Sequence, residues 1–185
     1  MTHKNILKKD QTALVVIDMQ EAFRDSMPDF GQISSRIAKA VQGFQILEVP
    51  VIVTEQYPKG LGRTAPEILD VLPEDFEIVE KTAFSSCGSQ AFLDQLEKSN
   101  AKQIVICGIE AHICVNQTAH DLLEKGFEVH LLQDCVSSRF DYNKFAAIRK
   151  MQISGVVPSS VEMSLFELMK DSKHEQFKAI QKLIK

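Results

Sequence analysis

Three ionisable residues, Asp18, Lys81 and Cys114, stand at or just after short runs of apolar residues. A carboxylate can accept a proton, an ammonium stabilises nearby negative charge, and a deprotonated thiol attacks carbonyl carbons. Together these three side chains predict hydrolysis of a small substrate. In this hypothesis Cys114 is the nucleophile, Asp18 is the base and Lys81 is the stabilising cation.

Cys114 lies in a segment that joins a strongly apolar run to an amphipathic stretch, which predicts the first turn of a helix after a buried strand. The helix dipole and a nearby ammonium are expected to lower the pKa of a thiol at that position. Taken alone, a cysteine there more often fills the core. Asp18 alone more often caps a loop, and Lys81 alone more often faces solvent. The apolar neighbours of Asp18 predict burial, however, and a buried carboxylate needs a cation such as Lys81.

The histidines are weaker candidates. His112 precedes Cys114 by two residues and His120 follows it by six, and neither spacing puts two side chains on one helix face. We expect both to be exposed or bonded to caps, and His130 to be structural. The sequence has no C-x-x-C pair, no Walker loop and no G-x-G-x-x-G, so it gives no local support for a zinc finger, an NTPase or a dinucleotide enzyme.

The charge balance also limits the partners. The chain has 21 Lys and Arg and 25 Asp and Glu, which give a net charge of −4. This charge provides no electrostatic attraction to nucleic acid or to an anionic membrane. No apolar run reaches the roughly 20 residues of a membrane span, and no signal-peptide pattern is present. We therefore expect a soluble, cytoplasmic protein with free thiols and no metal or other cofactor.

Apolar runs alternate with amphipathic stretches along the chain. This pattern predicts one α/β domain over residues 1–185, with a mostly parallel sheet covered by helices on both faces. The predicted strands are residues 12–17, 51–54, 76–79, 103–109, 127–132 and 155–157. Capping boxes are expected where Thr64, Ser159 and Ser172 each precede a glutamate by three residues.

Ligands of open α/β sheets bind beyond the carboxyl ends of the strands. If strands one, three and four lie near the centre, the three ionisable residues meet at that edge. Phe23, Tyr57 and Phe84 follow the same strand ends. Together with Ile109 they are expected to wall a small, partly apolar substrate pocket, although they are equally typical of an ordinary core.

Three segments of the sequence resemble the isochorismatase-like hydrolase superfamily, which includes nicotinamidases and N-carbamoylsarcosine amidohydrolases. They are Ala13–Phe23 (ALVVIDMQEAF), Glu80–Phe84 (EKTAF) and Val105–Val115 (VICGIEAHICV), and their order and spacing match over about residues 10–160. Thr54–Gly62 (TEQYPKGLG) is most similar to the isochorismatase-domain-containing proteins, whose substrates are poorly defined.

The resemblance implies a three-layer, Rossmann-like sandwich with strand order 3-2-1-4-5-6, and a catalytic triad of Asp18, Lys81 and Cys114. It also implies a cis peptide between Ile109 and Glu110. The backbone N–H groups of Glu110 and Cys114 would then form an oxyanion hole. A homo-oligomer acting on a small-molecule substrate is the expected form.

Two differences between this sequence and other members of the family limit the type of reaction that we expect. Members that hold a metal for a pyridine substrate have an Asp-x-His pattern and further histidines after strand two, whereas this chain has Glu55–Gly60 (EQYPKG) and no histidine there. We therefore expect neither a metal nor nicotinamidase activity. True isochorismatases cleave a vinyl ether without a thiol, so Cys114 favours cleavage of a C–N bond.

Two other classes of function stay open at this point. In a thiol redox or sensing protein, Cys114 would react and Cys87 would resolve it as a disulfide. In a non-catalytic oligomeric scaffold, the surface would matter instead. Met163, Leu165, Phe166 and Met169 form an apolar cluster that would serve a partner there, although such faces more often pack in a core.

Overall fold

A single parallel sheet organises the protein. The computed structural model describes residues 3–185. In chain order the strands are β1 (Thr12–Ile17), β2 (Val51–Gln56), β3 (Val79–Lys81), β4 (Gln103–Gly108), β5 (Glu128–Val136) and β6 (Val157–Ser159). Across the sheet they follow the order β3-β2-β1-β4-β5-β6, and every neighbouring pair is parallel. The predicted α/β class and strand order are confirmed.

Helices cover both faces of this sheet. They are α1 (Phe30–Ile46), α2 (Pro58–Leu61), α3 (Pro66–Leu69), α4 (Gln90–Lys98), α5 (Asn116–Glu124), α6 (Asp141–Ile153), α7 (Val161–Met169) and α8 (Phe177–Ile184). Every residue of the two central strands, β1 and β4, is buried. Such continuous burial is what a sheet covered on both sides requires, and it explains why these strands are apolar throughout.

Two separate cores form because successive strand residues point to opposite faces. Leu14 and Val16 of β1 pack in a first core with residues of α1, α7 and α8. Val15 and Ile17 pack in a second core with residues of α4, α5 and α6. The sheet is therefore the middle of three layers, as predicted. Within residues 3–185 no helix has the length and hydropathy to cross a membrane.

The edge strands differ from their prediction. β3 was expected at residues 76–79 but spans Val79–Lys81, since only these residues pair with Thr54–Gln56 of β2. Phe76 and Ile78 pack instead against the first core. β6 was expected at 155–157 and begins two residues later. Apolar runs mark what is buried, whereas strand bounds depend on where a neighbour offers hydrogen bonds.

The three predicted capping boxes are wrong. The residues at the N-caps of α3, α7 and α8 are Ala65, Ser160 and Gln176. Only Ser160 caps with its side chain, accepting a hydrogen bond from the Met163 N–H. Thr64 binds the carboxylate of Glu55 with both its N–H and its hydroxyl. Thr64 therefore binds a residue of β2 and does not cap the helix that follows it.

Candidate active site

The carboxyl ends of four adjacent strands bring the predicted triad to one edge of the sheet. Asp18 directly follows β1, and Lys81 is the last residue of β3 rather than a residue beyond it. Cys114 lies in a single π-helical turn, Ala111–Val115, between β4 and α5. The exposed fractions of the three residues are only 2%, 5% and 7%. Their ionisable groups therefore interact with one another largely out of water.

Lys81 and Asp18 form a buried ion pair. Lys81 Nζ donates to Asp18 Oδ2 at 2.7 Å and to Gln56 Oε1 at 2.8 Å. The carbonyl oxygens of Ala83 and Phe84 both lie 3.1 Å from the same ammonium. The side chain of Lys81 has no exposed surface. A buried charge needs such a full set of partners, so the ammonium is held in one position.

The other oxygen of Asp18 is also occupied. Thr54 Oγ1 donates to Asp18 Oδ1 at 2.7 Å, and the Asp18 N–H donates to the Thr54 carbonyl at 3.1 Å. The backbone of Asp18 has a φ of +50°, a left-handed conformation that aspartate tolerates better than most residues. Thr54 therefore fixes the direction of the carboxylate. Sequence reasoning missed Thr54 and Gln56, whose roles depend on the register of β2 beside β1 and β3.

The thiol of Cys114 is protonated at neutral pH. Burial and, next in size, the negative charge of Asp18 raise its pKa to about 12, although the positive charge of Lys81 opposes the increase. The expected lowering of this pKa is thus wrong, because desolvation outweighs the ammonium. A neutral thiol must pass its proton to a base before it can attack. The carboxylate of Asp18 lies beside this thiol.

The backbone between β4 and the π-helical turn has an unusual form. The peptide bond between Ile109 and Glu110 is cis, as the resemblance implied. The Glu110 carbonyl accepts hydrogen bonds from the N–H groups of Ile113 and Val115. Among residues 3–185, no acceptor takes the N–H of Glu110 itself. The carboxylate of Glu110 accepts from the N–H and Nε of Arg139, at 3.0 and 3.1 Å.

A glycine allows β1 and β4 to meet at this edge. Gly108 has a φ of +114°, and a Cβ built on it would lie 2.0 Å from the carbonyl oxygen of Ile17. The Ile109 N–H donates to that same oxygen at 2.9 Å. A side chain at position 108 would therefore force apart the strand ends that carry Asp18 and Cys114.

We expect Gly108→Ala to lower the free energy of unfolding by at least about 2 kcal/mol, because it adds a backbone clash to an unfavourable φ. Urea denaturation measures this change. Gly126→Ala is the matched control, since Gly126 has a φ of +86° but open space around its Cβ position. The control should cost only about 1 kcal/mol. Equal losses of unfolding free energy in the two variants would contradict the close approach of Gly108 to the Ile17 carbonyl.

A cavity beside Lys81 includes one of the four predicted pocket residues. A cavity of about 430 Å³ at the β2–β3 side is lined by Tyr57, Pro58, Lys59, Glu80, Lys81, Thr82, Gly88 and Ser89. Of the four expected residues only Tyr57 belongs to this lining. Ile109 is fully buried, Phe23 packs against the first core, and Phe84 is 55% exposed. Aromatic type alone does not distinguish a pocket wall from a core or a surface residue.

His112 and His120 form hydrogen bonds outside the triad. His112 Nδ1 lies 3.0 Å from Ser138 Oγ, and His120 Nδ1 lies 2.7 Å from the Asn116 carbonyl. His130 lies buried in β5, where burial lowers the pKa of its imidazole to about 4. Within residues 3–185, no group of three or more His, Cys, Asp or Glu is arranged to hold a metal ion.

Comparison with known proteins gives the family. The model of the isochorismatase domain matches residues 12–163. The chain belongs to the isochorismatase family. Isochorismatase domain-containing protein 2 of Danio rerio is 40% identical over 173 residues, which are 94% of this chain and 86% of that protein. The resemblance inferred from the three motifs is thus confirmed.

Solved structures show the same fold. The MAR1 ribonuclease of Caenorhabditis elegans is 38% identical and superposes with a TM-score of 0.91, covering 97% of this chain and 92% of that one. The pyrazinamidase of Pyrococcus horikoshii, solved in complex with zinc, is 25% identical with a TM-score of 0.68, covering 81% of this chain and 99% of that one. The isochorismatase-like family therefore includes hydrolases such as pyrazinamidase.

Proposed function

We propose that this member of the isochorismatase family is a cysteine hydrolase that cleaves a C–N bond of a small amide or carbamoyl substrate. The observation that carries the proposal is the buried Lys81–Asp18 ion pair beside a buried, neutral thiol. In the proposed triad, Cys114 is the nucleophile, Asp18 the base and Lys81 the stabilising cation. A buried ion pair contributes little net stability, and strongly shifted pKa values concentrate at functional sites.

The first half of the reaction forms a thioester. The proton on Cys114 Sγ moves to Asp18, the sulfur bonds to the carbonyl carbon, and the carbonyl oxygen becomes an oxyanion. The N–H groups of Glu110 and Cys114 donate to this oxyanion, and each such donor contributes about 3 kcal/mol in other enzymes with an oxyanion hole. The C–N bond then breaks as the nitrogen takes the proton from Asp18, releasing ammonia or an amine.

The second half hydrolyses the thioester. Water attacks the same carbon and gives a proton to Asp18, and the oxyanion forms again in the same place. The C–S bond breaks, the acid leaves, and the proton returns to Cys114 Sγ. The ammonium of Lys81 keeps a positive charge beside the site in each step. It therefore stabilises whichever of Asp18 and Cys114 is anionic.

The alternative as a redox protein has less support. Burial and the negative charge of Asp121 raise the pKa of Cys87 to about 11. A thiol that is protonated at neutral pH resolves a sulfenic acid slowly, because the thiolate is the reactive form. Cys87 therefore lacks the property that a resolving cysteine needs.

The test is a screen for ammonia release from small primary amides and carbamoyl compounds, including nicotinamide and N-carbamoylsarcosine, with Cys114→Ala as the blank. We expect at least one compound to be hydrolysed by the wild type alone. Because the similar protein of Caenorhabditis elegans is named a ribonuclease, RNA is tested in parallel. The net charge of −4 gives no electrostatic attraction to a phosphate backbone. RNA cleavage that depends on Cys114, with no amide hydrolysed, would contradict the proposal.

A further inference from the structure

Helix α6 carries apolar side chains on two opposite faces. Ala147 and Met151 point inward and pack in the second core. Tyr142, Phe145 and Ile153 lie on the opposite side, with exposed fractions of 69%, 64% and 78%. Large apolar side chains that are exposed next to one another on a surface mark a site for a protein partner. The outer face of α6 therefore lacks its cover in the single chain.

The outer residues form a regular stripe. Tyr142, Ala146, Arg149 and Ile153 are spaced i, i+4, i+7 and i+11, which is the spacing of the seam between two packed helices. Phe145 flanks this seam. Three of the five side chains are large and apolar, and Arg149 is the single charge.

We infer that two copies of this chain pair through the outer face of α6, with the two helices antiparallel about a twofold axis. Reversing the stripe on itself puts Tyr142 opposite Ile153 of the second copy. It also puts the small Ala146 opposite the long Arg149, so large residues meet smaller ones along the seam. Such self-complementarity is what an isologous dimer interface requires. It favours a second copy over an unrelated partner.

The area of the patch agrees with a dimer contact. Phe140 precedes the helix, is 52% exposed, and stacks on Tyr142 with ring centroids 5.5 Å apart. An aromatic residue buries about 150–250 Å², so these three aromatics and Ile153 together expose on the order of 500 Å². That is more than half of the roughly 800 Å² that each partner buries in an interface of standard size.

The interface would adjoin the candidate active site. Arg139, which binds the carboxylate of Glu110, precedes Phe140 in the chain. A second copy seated on Phe140 and Tyr142 would cover the loop that holds Glu110 beside Cys114. The inference does not depend on the proposed chemistry, because it rests on the outer face of α6 alone.

Sedimentation velocity of the full chain over a roughly hundredfold range of concentration tests this pairing. We expect the wild type to form a dimer or a larger even-numbered assembly. Ile153→Glu and Phe145→Glu should each weaken association by roughly 100-fold or more, because the twofold axis buries every introduced charge twice. Circular dichroism should show the folded spectrum for both variants.

Met163→Glu is the control. Met163 is 51% exposed on α7, whereas Leu165 and Met169 of the same helix are buried in the first core and Phe166 packs edge-on against Phe177. This variant should associate as the wild type does. A wild type that stays monomeric throughout, or an assembly lost in Met163→Glu and kept in Ile153→Glu, would overturn the inference.

Discussion

Cys114→Ala is expected to lower the turnover of any amide that the wild type hydrolyses by about 10⁴-fold or more. Without the sulfur no thioester forms, and the oxyanion donors and substrate binding alone retain only a small part of the rate acceleration in enzymes of this kind. Turnover is measured as ammonia released per enzyme with the best compound from the screen. The fold should survive, because the change removes one small buried side chain at a cost of about 1 kcal/mol.

Cys87→Ala is the matched control for this loss. Cys87 is a partly buried thiol whose pKa is also raised, but it lies outside the proposed triad. We expect this variant to keep the wild-type rate. If Cys114→Ala retained more than about a tenth of the activity, or if Cys87→Ala lost it equally, the thioester mechanism would be wrong.

Lys81→Met is expected to lower the free energy of unfolding by about 3–5 kcal/mol and to abolish turnover. Removing one partner of a buried ion pair leaves the other charge uncompensated. Here Asp18 would lose its cation, and the side-chain oxygen of Gln56 and two backbone carbonyls would lose a donor. Urea denaturation at neutral pH measures the change in stability.

Two further variants separate the electrostatic cause from a general packing loss. Lys59→Met removes an exposed lysine that lines the neighbouring cavity, and it should change stability by less than about 0.5 kcal/mol. The double variant Lys81→Met with Asp18→Asn should recover part of the loss, since it removes the orphaned charge as well. If the double variant were no more stable than Lys81→Met, loss of the ion pair would not be the cause of the lower stability.

Much of the fold follows from the sequence because the residue types indicate which positions are buried. The strands β1 and β4 are apolar throughout, and the residues of α1 at helical spacing are those that pack in the core. The sequence shows less clearly which residues form hydrogen bonds with one another. β3 lies two to three residues beyond its apolar run, and Thr64 binds Glu55 instead of capping a helix. Such outcomes depend on partners that are distant along the chain.

The residues of the candidate site were predictable, whereas its electrostatics were not. Asp18, Lys81 and Cys114 stand at or after strand ends, and the topology of a parallel sheet brings its strand ends together. The direction of the shift in the Cys114 pKa was wrong, because it depends on how deeply the thiol is buried. Thr54 and Gln56 escaped notice because each is an ordinary polar residue until the register of β2 places it against Asp18 or Lys81.

The central claim, that Asp18 takes the proton of Cys114, is tested most directly by the pH dependence of alkylation. Iodoacetamide labelling of each cysteine is followed by mass spectrometry between about pH 6 and 9 in the wild type and in Asp18→Asn. An isolated thiol of high pKa reacts about tenfold faster for each added pH unit, because only its thiolate reacts. Cys87, with a pKa raised to about 11, supplies that behaviour within the same protein.

For Cys114 the account predicts a rate that is nearly independent of pH in the wild type. A proton that passes from the thiol to Asp18 stays on the protein, so the fraction of reactive thiolate does not depend on pH. In Asp18→Asn this acceptor is gone, so only thiol that loses its proton to solvent reacts, and the rate at Cys114 should rise with pH as it does at Cys87. A wild-type rate at Cys114 that climbs like that of Cys87 and is unchanged in Asp18→Asn would contradict the account.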